Sequence, residues 1–496
     1  MYSNLEKWCN DVGYIGKNMM IGIVDEGKDI LKKAVFGDKK EIKNDNKENT
    51  KNKYFCNIPA GLKKGNFPFA KAGWNTLHFN KHRHKLIKGA TECGKTTWGE
   101  RFAIESNSGI AYLDNADGLA INRILQSLPN DRLNKTVLLD YSNTDYIPPA
   151  GHIEHTKDIF KQYLVTEQWI EFFKSHFGIS ELYRTENLIT YACSAVFAVE
   201  GTTILDVIKI VKDEEFRGQL LKELDRKFHK DIIDWWLDFE EKTKSKQDQI
   251  TGAFLIRAGL LQKDYLLKFA LGQKPKRKLD YRKWMDQGYT VLIKVPESLG
   301  KKRVNIIMSL HILGFWQAAL SRDNIKESER KPFYIIADEP QSWLNNNEKI
   351  FDAIYSKARK YKMYMCSLFQ SYKQLPNNIK QILLDNEPDI IDFSPDSEDI
   401  KLNKYHFVCT MFNKKPFIAK SLGPAHKLRK DISPFIYLQK KKNNKYFEEI
   451  QNELDRRDFY WQIQRELPRS SIKQKSGHES QKKIGKSLNS SIVKGW

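Results

Sequence analysis

A chain of 496 residues has room for about three structural units, or for one large unit carrying an insertion. Hydrophobic residues make up 40% of it and aromatic residues 12%, which excludes wholesale disorder. Lys and Arg number 83 against 62 Asp and Glu, a net charge of +21 that points to a polyanion or an anionic surface as partner.

Residues 14–36 space Met20, Ile23, Val24, Ile30, Leu31 and Val35 as one face of an amphipathic helix. Residues 37–53 mix Lys, Asn, Asp and Glu with almost nothing to bury and read as a solvated linker, so 1–53 forms an N-terminal helix and charged linker. From residue 54 short apolar runs alternate with helical stretches, the texture of an α/β fold. Strands are expected at Lys85–Lys88, Gly109–Leu113 and Thr136–Asp140, within a first half spanning 54–150. Residues 151–275 turn helical, with helices at Phe160–His176, Asn187–Val199, Leu205–Val211 and Gln219–Glu241. Strands resume at Thr290–Val295, Phe333–Ala337, Met363–Phe369 and Ile390–Phe393, making 276–440 a second half. Residues 441–496 give a last helix and a basic, Ser- and Lys-rich tail suited to non-specific nucleic-acid contact.

The six cysteines, Cys9, Cys56, Cys93, Cys193, Cys366 and Cys409, lie far apart and form no C-x-x-C pair, so reduced thiols are expected. No run approaches the roughly 18–20 apolar residues that span a bilayer. The best N-terminal candidate, Met19–Val24, stops at Asp25 and Glu26, and residues 1–30 lack the order of a signal peptide. A cytoplasmic protein without an integral membrane segment, or a host-internal one if viral, is expected.

The strongest local signal is Gly89-Ala90-Thr91-Glu92-Cys93-Gly94-Lys95-Thr96, a full match to G-x-x-x-x-G-K-[ST] between a strand and a helix that opens Lys95-Thr96-Thr97. Gly89 and Gly94 let the backbone curl so that successive N–H groups from Gly89 to Thr97 face phosphate oxygens. The helix aims its positive dipole end at the same anion. Lys95 supplies a point charge for the β- and γ-phosphates, and Thr96 a hydroxyl for Mg²⁺. These residues point to ATP and Mg²⁺ as cofactors.

A second signal is the apolar strand Phe333–Ala337 running into Asp338-Glu339. Asp338 is the candidate for holding Mg²⁺ and Glu339 for polarising the attacking water. Gln370, at the tip of the strand Met363–Phe369, could reach the γ-phosphate or the water. Arg359 is either a structural cation at a helix C-terminus or a finger reaching into a neighbouring subunit.

With these residues assembled, the chain resembles the FtsK/HerA-type DNA-pumping ATPases, and among them the TraG/TraD-like coupling proteins of type IV secretion. The resemblance is carried by Ala358-Arg359-Lys360-Tyr361, by Phe369-Gln370-Ser371-Tyr372-Lys373-Gln374-Leu375, by Leu279–Gly288 with its Asp280, Arg282, Asp286 and Gly288, by Asp213–Arg217 and by Asn386. It covers residues 80–425 and implies a RecA-like P-loop NTPase motor domain, with an all-helical insertion between the phosphate-loop half and the acidic-strand half. It implies a homo-hexameric ring around DNA, with Lys95, Glu339, Arg359 in trans and the sensor Gln370 as catalytic residues. It differs from many relatives in having Glu92-Cys93 where they have small residues. An N-terminal membrane anchor of their kind is not expected in it. The expected activity is ATP-driven DNA translocation, with a relaxase, secretion channel or capsid as further partner. A viral packaging ATPase and a nucleotide-switched DNA-binding adaptor are the alternatives.

Overall fold

The computed structural model describes residues 68–72, 75–78, 82–151, 155, 158–177, 183–276, 278–344, 348–371, 375–386, 388–395, 402–411 and 416–466. The N-terminal helix and linker, the basic tail, Cys9, Cys56 and Gln374 lie outside them. The chain divides into two compact units, one built from residues up to Ser142 with Asp280–Gln439, the other from Asn143–Leu279 with Lys440 onward.

The strands in chain order are β1 Pro68–Ala72, β2 Asn75–His78, β3 Lys85–Lys88, β4 Gly109–Asp114, β5 Thr136–Asp140, β6 Tyr146–Ile147, β7 Thr290–Lys294, β8 Phe333–Asp338, β9 Met363–Phe369, β10 Asp389–Asp392, β11 His406–Thr410, β12 Phe417–Ser421 and β13 Lys445–Tyr446. Eleven of them form the sheet of the first unit, in the order β2-β1-β12-β11-β10-β3-β9-β8-β4-β7-β5. From β10 to β5 every pair is parallel. These strands read as continuous apolar runs because both faces are covered, which leaves Leu86, Ile87, Ile110, Ile335, Ile336 and Met365 buried. The phosphate-loop strand β3 and the acidic strand β8 are separated by β9, with β4 beyond β8 and β10 on the far side of β3. This is the RecA-like α/β arrangement that the family resemblance implied.

The four antiparallel strands beyond β10 were not expected from the sequence. They are short, and β12 alternates buried Phe417, Ala419 and Ser421 with exposed Lys420, the mark of a strand covered on one face.

One expectation is corrected in this unit. Lys301–Asn324 is long and apolar enough, by length and composition alone, to cross a membrane, with a mean hydropathy of 1.4. Its best stretch is 78% buried inside the protein, as a core helix. Polar residues break up the apolar run in the sequence, and two of them find partners inside. The Ser309 hydroxyl donates to the Asn305 carbonyl. His311 bridges the hydroxyls of Tyr141 and Tyr281, each at 2.9 Å. Burial holds the His311 imidazole down to about 3, so the ring is neutral, with one nitrogen donating and the other accepting.

The stretch Leu279–Gly288 proves to be helix punctuation. Asp280 caps the helix Tyr281–Gln287 by accepting from the Lys283 N–H at 2.9 Å, and Gly288 ends it at a φ of 68°. Arg282 pairs with Asp286, and Arg322 donates to the same carboxylate at 2.9 Å. Asn386 likewise ends a helix, donating to the Ile382 carbonyl.

The second unit is helical. Its longer helices are Ile159–Phe177, Tyr183–Phe197, Glu214–Glu223, Arg226–Glu240, Lys244–Ala258 and the closing Phe447–Glu466, with β6 and β13 paired beside them. A single helix was expected over Gln219–Glu241. It breaks at Leu224 and Asp225, where Asp225 turns extended and caps the next helix through the Lys227 N–H. Aromatic residues Trp169, Phe172, Phe173, Trp236 and Phe254 fill the core. The buried charges are paired there. Arg217 donates to Glu240 at 2.9 Å and to the Ile210 carbonyl at 2.8 Å, and Arg457 donates to Asp206 at 3.1 Å.

Candidate nucleotide site

The loop Gly89–Gly94 is built to stay close to its surroundings. The Gly89 N–H donates to the Phe369 carbonyl at 3.1 Å. A Cβ on Gly89 would lie 2.6 Å from both Cys93 Sγ and Phe393 Cβ, so only glycine fits. Glu92 takes a φ of 64° and Gly94 one of 114°, two left-handed residues that turn the chain into the helix Lys95–Glu105. Its N-cap residue is Gly94, which has no side chain to cap it, and the Cys93 thiol lies against the first N–H, that of Lys95. Trp98, Phe102 and Ala103 seat the helix on the sheet. The Lys95 ammonium donates to the Ala90 carbonyl at 2.9 Å, folded across the loop it would serve. Ala90, Thr91 and Glu92 are exposed or nearly so, while Thr96 and Thr97 are half-buried at the start of the helix. Burial pushes the half-buried Cys93 thiol up, so it adds no negative charge where phosphates would sit.

Asp338 ends β8 on the neighbouring side. It is buried, and its Oδ2 accepts from the Tyr112 hydroxyl at 3.2 Å. Its Oδ1 has no hydrogen-bond partner among the described residues. Burial, with Asp114 and Glu339 nearby, pushes the carboxyl up to about 7, while the Thr96 and Tyr112 hydroxyls pull it down. A carboxylate held this way, with one free oxygen and a threonine hydroxyl beside it, fits a divalent cation. Among the described residues no cluster of three or more His, Cys, Asp or Glu could hold a metal unaided. Mg²⁺ suits such a site because it keeps waters and takes phosphate oxygens alongside one or two protein ligands.

Glu339 follows at a φ of 49°, a left-handed conformation uncommon outside glycine, with its N–H bonded to the Leu368 carbonyl at 3.1 Å. Its Oε1 accepts from the Gln370 amide at 2.6 Å. Lys95, Thr96, Asp338, Glu339 and Gln370 therefore meet at the C-terminal ends of β3, β8 and β9. Arg359 does not join them. It precedes β9, whereas Gln370 follows it, and at ~3.3 Å per residue the strand separates them by about 20 Å. Arg359 instead places positive charge near His84 and Tyr364 at the other end of the strands.

No protein-family model matches the chain, and no curated protein matches it. Solved structures to which it is similar include the bacterial conjugative coupling protein TrwBdeltaN70 in an unbound form, at 14% identity over 73% of this chain and 91% of that one, with a TM-score of 0.49. The plasmid coupling protein TrwB in complex with ADP and Mg²⁺ matches at 15% identity over 70% and 86%, with a TM-score of 0.46. VirB4 of Thermoanaerobacter pseudethanolicus matches at 9% identity over 74% and 97%, with a TM-score of 0.48.

Three residues at the site were not singled out in the sequence. Ser394, just past β10, accepts from the Ala90 N–H at 3.0 Å and holds the loop's shape. Asp114 ends β4, beside the acidic strand; it is buried, and its Oδ2 has no hydrogen-bond partner among the described residues. Tyr405 donates its N–H to the Cys93 carbonyl at 3.0 Å. The signal that marked Gln370, a polar residue at the tip of a strand neighbouring the motif strands, would have found Ser394 and Asp114 had the strand order been known.

Proposed function

We propose that this chain is an ATP-hydrolysing motor that moves DNA through a ring of six copies of itself. The reading rests on one observation: the helix that opens at Lys95 brings the Thr96 hydroxyl to Asp338, which with Glu339 and Gln370 sits at the tips of adjacent parallel strands. Phosphoryl transfer to water needs this set. The loop N–H groups and Lys95 hold the phosphates and offset the charge that develops on the transferring group. Thr96 and Asp338 would hold Mg²⁺, which when bound would offset negative charge on the phosphates. Glu339 takes the proton of the attacking water as its oxygen bonds to the γ-phosphorus and the bond to the β-phosphate oxygen breaks. Gln370, hydrogen-bonded to Glu339, positions that carboxylate and releases it when a γ-phosphate competes for the amide.

Two further features support a ring on DNA. The net charge of +21 suits contacts to phosphates, which a motor needs because it must pass every sequence. Arg359, remote from its own loop, would reach a reacting phosphate only in a neighbouring copy. A basic protein that couples hydrolysis to DNA movement fits conjugative transfer, with a relaxase or secretion channel as partner.

The test is ATP turnover with and without single- and double-stranded DNA. Turnover stimulated by DNA and lost in Lys95→Ala is expected. Binding of ATP and DNA without turnover would replace the motor by a nucleotide-switched adaptor. In mixed rings, Arg359→Ala with Lys95→Ala protein should recover activity at hybrid interfaces, since a finger is worth roughly 10³–10⁵ in rate.

A further inference from the structure

The phosphate loop has two flanks. On one, β9 and β8 carry Gln370, Asp338 and Glu339. The reacting phosphate lies toward these groups, so the nucleoside must leave on the other flank, where β10 and β11 lie.

Tyr405, the residue before β11, stands on that flank. Its φ is 68°, a conformation that a bulky aromatic residue adopts only when its surroundings impose it. Two main-chain hydrogen bonds do so. Its N–H donates to the Cys93 carbonyl in the loop at 3.0 Å, and its carbonyl accepts from the Ser421 N–H at 2.7 Å. The ring is thereby pressed on the mouth of the site. A Cβ on Gly94 would lie 2.6 Å from Tyr405 Cδ1 and 3.2 Å from Cε1. The residue is only half-buried, so core packing does not account for the ring's position. Exposed Lys404 holds its ammonium over the ring, 5.6 Å from the centroid. A ring face open to a cation on a flexible stem is also open to a purine.

We propose that Tyr405 is the platform on which the base of the bound nucleotide stacks, giving the site an affinity for the nucleoside as well as for the phosphates. This rests on the ATP-binding reading of the loop. The Cys93 bond ties the platform to the phosphate cradle, so base and phosphate are recognised by one connected piece of backbone.

The test is calorimetric binding of ATP and of inorganic tripolyphosphate, each with Mg²⁺, to the full-length protein. The variants are Tyr405→Ala, Tyr405→Phe and Tyr405→Asn, the last because asparagine tolerates the left-handed backbone and removes the ring without adding strain. Loss of base stacking should weaken ATP roughly 5- to 100-fold in the Ala and Asn variants. Tripolyphosphate affinity should stay as in the wild type, and Tyr405→Phe should recover the ATP affinity lost in Tyr405→Ala. Parallel weakening of ATP and tripolyphosphate would make Tyr405 a prop for the loop and overturn the proposal, as would unchanged ATP affinity in both ring-less variants. A wild-type protein that binds neither ligand would overturn the nucleotide reading itself, a result distinct from either of these.

Discussion

At the N-terminal ends of the parallel strands, buried charge is matched. Lys85, which opens β3, donates to Asp389, which opens β10, at 2.9 Å, in register and almost fully buried. His84 accepts from the Met365 N–H at 2.9 Å, and burial, with Arg359 near, holds it neutral by lowering it to about 3. At the C-terminal ends the same sheet leaves carboxylate oxygens of Asp338 and Asp114 buried without hydrogen bonds among the described residues. There too Glu92, Glu339 and Tyr405 take left-handed backbone conformations, three of the four such non-glycine residues among those described; the fourth, Lys362, precedes β9 at the opposite end. Charge is paired at this end too, Lys88 with Asp392 at 3.4 Å, but the orphaned carboxylate oxygens and most of the left-handed residues gather here, and in open α/β sheets that end is where ligands bind. Under the proposed function, a site prepared for cation and phosphates costs stability until they arrive.

The largest effect should follow from unpairing the N-terminal end. Lys85→Met leaves Asp389 buried and uncompensated, and should cost about 3–5 kcal/mol in urea unfolding. A loss much below this would show that the pair is dispensable and blur the contrast between the ends.

At the functional end the sign reverses. The Asp338 carboxyl is raised to about 7 in the fold from an ordinary 3.8, so the ionised form is disfavoured by folding. That cost is fully present above pH 7, shrinks as pH falls through 7 and is gone near pH 4, changing by about 1.4 kcal/mol for each pH unit crossed in between. In chelator at pH 8, Asp338→Asn should therefore be more stable than the wild type by about 2–4 kcal/mol. The gap should close toward pH 4 and also when ATP and Mg²⁺ are added, because they stabilise the wild type alone. A variant less stable than the wild type at pH 8 would mean that Asp338 is already compensated.

The smallest effect concerns the loop. Glu92 holds a φ of 64° with an exposed side chain. Glu92→Gly should raise stability by about 1 kcal/mol in thermal unfolding, by removing the left-handed penalty of an L-residue. A destabilised variant would assign the Glu92 side chain a supporting contact.

The sequence was most legible where one residue type has one physical use. Gly89, Gly94, Lys95 and the Asp338-Glu339 strand end could be placed from spacing alone, and the parallel strands showed as apolar runs. Ser394, Asp114 and Tyr405 could not be found that way. Each matters through a neighbour brought up by strand order, hundreds of residues away or across an antiparallel extension too short and polar to announce itself. Arg359 was legible as a motif but ambiguous as a role. Only the strand direction separates it from its own loop and so sharpens the choice between a structural cation and a finger in trans.

The central claim, that this site hydrolyses ATP with Glu339 as the group that accepts the water's proton, is tested most directly by Glu339→Gln. The measurement is ATP turnover per bound nucleotide, in the presence of DNA and Mg²⁺, beside the wild type at equal occupancy. The account predicts that ATP affinity is retained and that turnover falls by roughly 10²- to 10⁴-fold. Wild-type turnover in Glu339→Gln would contradict it.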